Sequence, residues 1–188
     1  MKSLKNEIFN SLLLADDLDR LEESGISVQG SSPPKEASIT APDFSPRIMY
    51  SSEKMADLYR LFFCLENDAR AVIRDRLQSL HGSNWFETKV PRKIRDDVEK
   101  IKRREEKNKY HVQRSGDSIG YTMFGNLSQI IIANWEDFTD LFPDQAWVTS
   151  RFSDLELSRN IIMHTNELPD IEADRIVSIV RDWKAQVG

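Results

Sequence analysis

The sequence predicts an all-α protein, an antiparallel bundle of helices with a helical arm at its N-terminus. Two observations carry this reading. Apolar residues return at steps of three and four over several long stretches, and no segment reads clearly as a long strand. The breaks after residue 80 are short and hold glycine or proline, so successive helices must double back on one another. A chain of 188 residues suits one domain with room for a real core, and no staple is needed.

The elements follow in order. Met1 to Glu23 is expected to form an amphipathic helix, because Leu4, Ile8, Leu12, Leu14, Leu18 and Leu21 roughly follow one stripe and Gly25 can stop it. Ile26 to Ser51 is rich in serine and proline, including Gly30-Ser31-Ser32-Pro33-Pro34, and reads as a linker. This divides the chain into an arm with its linker, residues 1–51, and a helical domain, residues 52–188. Ser52 to Leu80 carries the longest stripe, through Met55, Leu58, Phe62, Leu65, Ala69, Val72, Leu77 and Leu80, with Ser52 as cap and Gly82 as stop. A second stripe of Tyr59, Phe63 and Ile73 widens its apolar face and makes it the central helix. Trp85 and Phe86, in the loop that follows, should plug the core. Pro91 opens a charged helix to about Lys109, whose apolar stripe is narrow: Val90, Ile94, Val98 and Ile101. A loop with room for a short hairpin leads to a helix over Tyr121 to Phe142, then a helix from Asp144 to about Met163. Thr165 to Pro169 breaks that helix, and the last one starts at Pro169 or Asp170.

Composition narrows the function classes. Hydrophobic residues at 39% and charged residues at 30% are ordinary for a soluble protein. The single cysteine, Cys64, excludes an internal disulfide and a multi-cysteine metal site; within Leu61-Phe62-Phe63-Cys64-Leu65 it is expected to be a buried apolar side chain. No apolar run approaches the roughly 20 residues of a membrane span. The N-terminus turns acidic too soon for a signal peptide, so a cytoplasmic location without membrane contact is expected. The net charge of -5 argues against bulk, sequence-blind nucleic-acid binding. Its distribution is uneven. Lys89 to Arg114 holds 11 Lys plus Arg against 5 Asp plus Glu, a local +6, leaving 15 against 26, or -11, elsewhere. Arg92, Arg95, Lys102, Arg103 and Arg104 are therefore candidate RNA-binding residues. A merely solvated helix face is the competing explanation.

Chemistry has few places to reside. There is no glycine-rich phosphate loop, no Gly-x-Ser-x-Gly elbow and no His-x-x-x-His pair, and His81, His111 and His164 are scattered. Neither a metal nor a cofactor is expected. Glu66 and Asp68 are two apart and so point to different sides of a helix. What remains is Arg159-Asn160-Ile161-Ile162-Met163-His164. On a straight helix Arg159 and His164 stand about 140° apart, so they converge only if the helix ends near Met163 or a second subunit supplies the other half. Arg159 can grip a phosphate and hold developing charge, and His164 can take up or release a proton. RNA suits such a pair because its 2′-OH is a built-in nucleophile. The alternative is structural: Arg near a helix C-terminus complements the dipole, and His there caps carbonyls.

The Arg-Asn-x-x-x-His string resembles the Arg-x4-6-His signature of the HEPN superfamily. Leu65-Glu66-Asn67-Asp68-Ala69-Arg70-Ala71-Val72-Ile73, Asn84-Trp85-Phe86, and Leu127-Ser128-Gln129-Ile130-Ile131 with Trp135 and Phe138 are similar to a particular HEPN subgroup. That subgroup occurs at the C-terminus of a eukaryotic nuclear PIN-type RNA endonuclease and in many bacterial proteins. The resemblance covers about Ser52 to Gly188. It implies a helical bundle with the motif just before a final helix. It also implies a homodimeric, metal-independent endoribonuclease of the kind found in toxin–antitoxin and antiviral defence systems. Arg159 and His164 would then be catalytic, Asn160 supporting, and Glu66 a polar partner of the motif. Many such domains are instead inactive binding or scaffold modules. For that case a protein partner would dock on the helix Met1 to Glu23.

Overall fold

A computed structural model describes residues 44–108, 110 and 112–188. The predicted arm helix and the linker as far as residue 43 lie outside these residues. The described residues form an all-α bundle of six helices: α1 (Pro46–His81), α2 (Trp85–Lys89), α3 (Arg92–Glu106), α4 (Phe124–Ala133), α5 (Gln145–Met163) and α6 (Asp170–Val187). Short 3₁₀ turns at Ser118–Tyr121 and Trp135–Asp137 flank α4. No strand occurs among the described residues, so the room left for a hairpin after α3 is taken by loop and 3₁₀ turn. No described helix is long and apolar enough to cross a membrane.

The central position expected of the longest helix is observed: α1 packs against α2, α4, α5 and α6. Leu58, Phe62, Leu65, Ala69, Ile73 and Leu77 are its inward residues. Phe62 meets Phe124 edge-on at 6.4 Å, Phe124 stacks on Phe152 at 5.1 Å, and Phe152 meets Trp183 edge-on at 5.7 Å. This aromatic line ties α1, α4, α5 and α6 together with ring geometries that add to simple burial. Trp85 and Phe86 are buried, as expected of plugs, within α2 rather than a bare loop.

Polar tethers fix α6 on α1. Trp183 Nε1 donates to Asp68 Oδ2 at 2.8 Å, so the indole donor of this buried ring is satisfied. At the other end Lys54 Nζ donates to Leu168 O at 2.9 Å and pairs with Asp170. The hydrogen bond to Asp170 holds the Lys54 ammonium above the usual lysine range. Together the tethers place the α5–α6 turn, and therefore the end of the Arg-Asn-x-x-x-His segment, beside the N-terminal half of α1.

Several expectations are corrected. The first described helix begins at Pro46, not Ser52, so it crosses the expected domain boundary. Pro46 needs no amide partner in a first turn, and Ser52 Oγ donates back to Met49 O instead of capping. Cys64 is exposed. It lies two residues, or about 200°, around α1 from buried Phe62. Tyr59 and Phe63 are also exposed, at 48% and 57%; only Ile73 of that second stripe is in the core. The helix expected over Tyr121 to Phe142 is broken at Asn134. Its side-chain amide donates to Lys89 O at 3.0 Å and Ile130 O at 2.8 Å, ending α4 and stitching it to the end of α2.

Candidate functional site

Asp144 accepts the Trp147 amide at 2.7 Å and so starts α5, which then runs unbroken to Met163. Val148, Phe152, Leu155, Ser158 and Ile162 bury one face. Arg159 lies beside that face. Its side chain is only 27% exposed, and Nε sits 3.8 Å from Glu66 Oε2 on α1. The two residues come from opposite ends of the chain's helical domain, and the antiparallel packing of α1 and α5 brings them together. The Arg159 side chain makes no hydrogen bond among the described residues, and its Nε is buried without a partner.

His164 caps α5, and its amide still donates to Asn160 O at 3.1 Å. His164 itself has left helical dihedrals, with φ -97° and ψ 20°, and its place five residues on sets it about 140° around the helix axis from Arg159. Thr165 takes φ 59°, with its amide on Ile162 O at 3.0 Å and the Asn166 amide on Ile161 O at 3.1 Å. This is a Schellman ending built on threonine instead of glycine. Asn160 and His164 are exposed, and neither side chain is hydrogen-bonded among the described residues. One chain thus joins Glu66 with Arg159 and does not join Arg159 with His164.

Two further residues belong to the Glu66–Arg159 neighbourhood. Arg70, one turn after Glu66, pairs with Glu66 Oε1 and donates to Thr122 O at 3.2 Å. The i,i+4 spacing of Glu66 and Arg70 was the sequence signal for this pair. Glu156, one turn before Arg159, lies over the first turn of α4: a Cβ on Gly125 would fall 2.7 Å from Glu156 Oε2. Only glycine admits a carboxylate so close, and the positive end of α4 favours it there. No sequence signal marked Glu156, because its neighbour is remote in the chain.

The basic residues of α3 are largely engaged. Arg95 donates to Val90 O at 3.0 Å and Glu87 at 3.4 Å, Arg103 to Glu99 at 2.9 Å, and Arg92 stands 3.8 Å from Asp96. Lys102 donates to Ser118 Oγ at 2.7 Å and lies over the Tyr121 ring. Lys102 and Arg104 have no ion pair among the described residues, and Arg104 alone of the five makes no side-chain hydrogen bond there either. Elsewhere His81 Nε2 and Asp137 Oδ2 are 2.7 Å apart, joining the end of α1 to the turn after α4. No three His, Cys, Asp or Glu side chains among the described residues are placed to hold a metal ion. Near the end of α5 an apolar groove of about 670 Å³ runs along α1, lined by Ile48, Met55, Tyr59 and Ile162 with Arg47 and Thr165.

Comparison of the chain with family models, curated proteins and solved structures finds no match.

Proposed function

We propose that the chain is a metal-independent endoribonuclease of HEPN type, with Arg159 and His164 as its catalytic pair and Asn160 in support. The single observation that carries the proposal is Arg159. It is held beside a buried carboxylate yet spends none of its donors on hydrogen bonds among the described residues. A guanidinium in that state offers a planar fork to a phosphodiester and to the charge that builds on it. His164, at an exposed helix end, would take the proton from the 2′-OH or give one to the 5′-oxygen. The 2′-oxygen would form a bond to phosphorus as the bond to the 5′-oxygen breaks, leaving a 2′,3′-cyclic phosphate and a 5′-hydroxyl. Because the two side chains diverge within one chain, the proposal needs a homodimer in which one protomer's His164 meets its partner's Arg159.

The test is cleavage of RNA in EDTA by the full-length protein. Arg159→Ala and His164→Ala should each lose about 10² to 10⁴ in rate. Mixing the two inactive variants should recover about a quarter of the activity, since half the dimers are mixed and each holds one intact site. Loss of activity in EDTA with recovery in magnesium would overturn the mechanism, and absence of RNA cleavage would overturn the function.

The second reading is a non-catalytic interaction module. It draws on the groove along α1 and on the free, solvated His164 ring. Intact folding and partner binding by His164→Ala, with no RNA cleavage by wild type, would favour it.

A further inference from the structure

Glu66 is 8% exposed and faces two guanidiniums. The two contacts are unequal. Arg70 takes Oε1 in a direct hydrogen-bonded pair and is braced by Thr122 O and by Asn67 Oδ1 at 3.4 Å. Arg159 is left at 3.8 Å from Oε2, within Coulomb reach but beyond hydrogen-bond distance. A buried carboxylate with a free edge and an unbonded guanidinium beside it would ordinarily close into a two-pronged pair, which is the strong form of this contact. Closed that way through its Nε edge, Arg159 would have its charge offset by the carboxylate and would keep only the Nη1–Nη2 edge for a phosphate. Arg70 occupies the carboxylate first, from the same helix and one turn away, where the pairing needs no long-range ordering.

We propose that Arg70 is a positioning residue: by engaging Glu66 it holds that carboxylate off Arg159 and keeps the Arg159 guanidinium open for a phosphate group. Glu66, Arg70 and Arg159 together carry one net positive charge, while the Glu156 carboxylate on the same helix as Arg159 lies against Gly125 of α4. This inference rests on the reading of Arg159 as a phosphate-binding group, and it makes a prediction that reading alone does not. Losing Arg70 should harm the site through Glu66, so removing the Glu66 charge as well should repair it.

The experiment uses the full chain as wild type, Arg70→Met, and Arg70→Met with Glu66→Gln. Two readouts are taken. The first is the side-chain Nε–H signal of Arg159 by NMR, assigned by its disappearance in Arg159→Lys. In Arg70→Met its exchange with water should slow by about tenfold as Arg159 closes on Glu66, and in the double variant it should return to the wild-type rate. The second is binding of a fluorescent 2′-O-methyl RNA oligonucleotide, which cannot be cleaved. Arg70→Met should weaken it about tenfold and the double variant should recover most of the loss. An Arg159 signal unchanged by Arg70→Met, or a loss that Glu66→Gln does not repair in a protein that still melts cooperatively, overturns the positioning role. If the NMR result holds while wild type binds no RNA, the positioning role stands and the phosphate reading of Arg159 falls. Replacing both members of the Glu66–Arg70 pair leaves no buried carboxylate without its hydrogen-bonded partner, so the double variant remains a folded reporter if Arg70→Met alone does not.

Discussion

Thr165 takes a φ of 59°, a conformation that costs a β-branched residue about 1 to 2 kcal/mol relative to glycine. It does so directly after His164, in the turn that ends α5. Thr165→Gly should therefore stabilise the protein by about 1 kcal/mol, read as a rise in the urea midpoint at unchanged slope. If RNA cleavage falls in the same variant, the strain is serving to orient His164, because glycine relaxes that turn without touching Arg159. A midpoint that does not rise would mean the Schellman hydrogen bonds already compensate the strain. Residue by residue, the site was partly legible. Arg159 and His164 stood out by type and spacing, and Glu66 only through the resemblance. Arg70 carried a readable i,i+4 signal. Glu156 carried none, since only the close approach of α4 at Gly125 gives it a setting.

Elements were legible where one face meets the core and illegible where a distant group ends them. The stripes of α5 and α6 match their observed spans closely. The break at Asn134 depends on Lys89 O, which lies 45 residues away in sequence, and no local pattern reports it. The start of α1 was readable after all, since Ser45-Pro46 is an ordinary helix opening. On α3 the local excess of positive charge overstated what is free. Arg104→Glu should weaken RNA binding and lower the salt slope by about one, because its charge is not already spent on a neighbour. Arg95→Ala should instead show its effect in stability, since that guanidinium braces Val90 O and Glu87. Equal effects of the two on binding would mean that α3 contributes only a diffuse field.

For the whole molecule, the buried cluster closes on side chains between Leu58 and Trp183. Aromatic rings join four of the six helices within it. Residues 44–188 are therefore expected to melt cooperatively without the residues before them, with a transition seen alike by far- and near-ultraviolet circular dichroism. A truncated protein that aggregates or melts without cooperativity would show that the preceding residues complete the core. The bundle as a class was visible in the sequence because periodicity and short breaks are local facts. The company each face keeps was not, which is why Tyr59, Phe63 and Cys64 were placed inside.

The exposure of Cys64 has a practical consequence. The chain carries one thiol, and it stands on the outer side of the longest described helix, turned away from the side that bears Glu66. A nitroxide attached there would need no competing cysteine removed and would ride on a rigid backbone. In an assembly of two copies it would yield a single label-to-label distance. That distance, measured by pulsed electron resonance with and without an uncleavable oligonucleotide, would say whether two central helices face one another and whether the ligand draws them together.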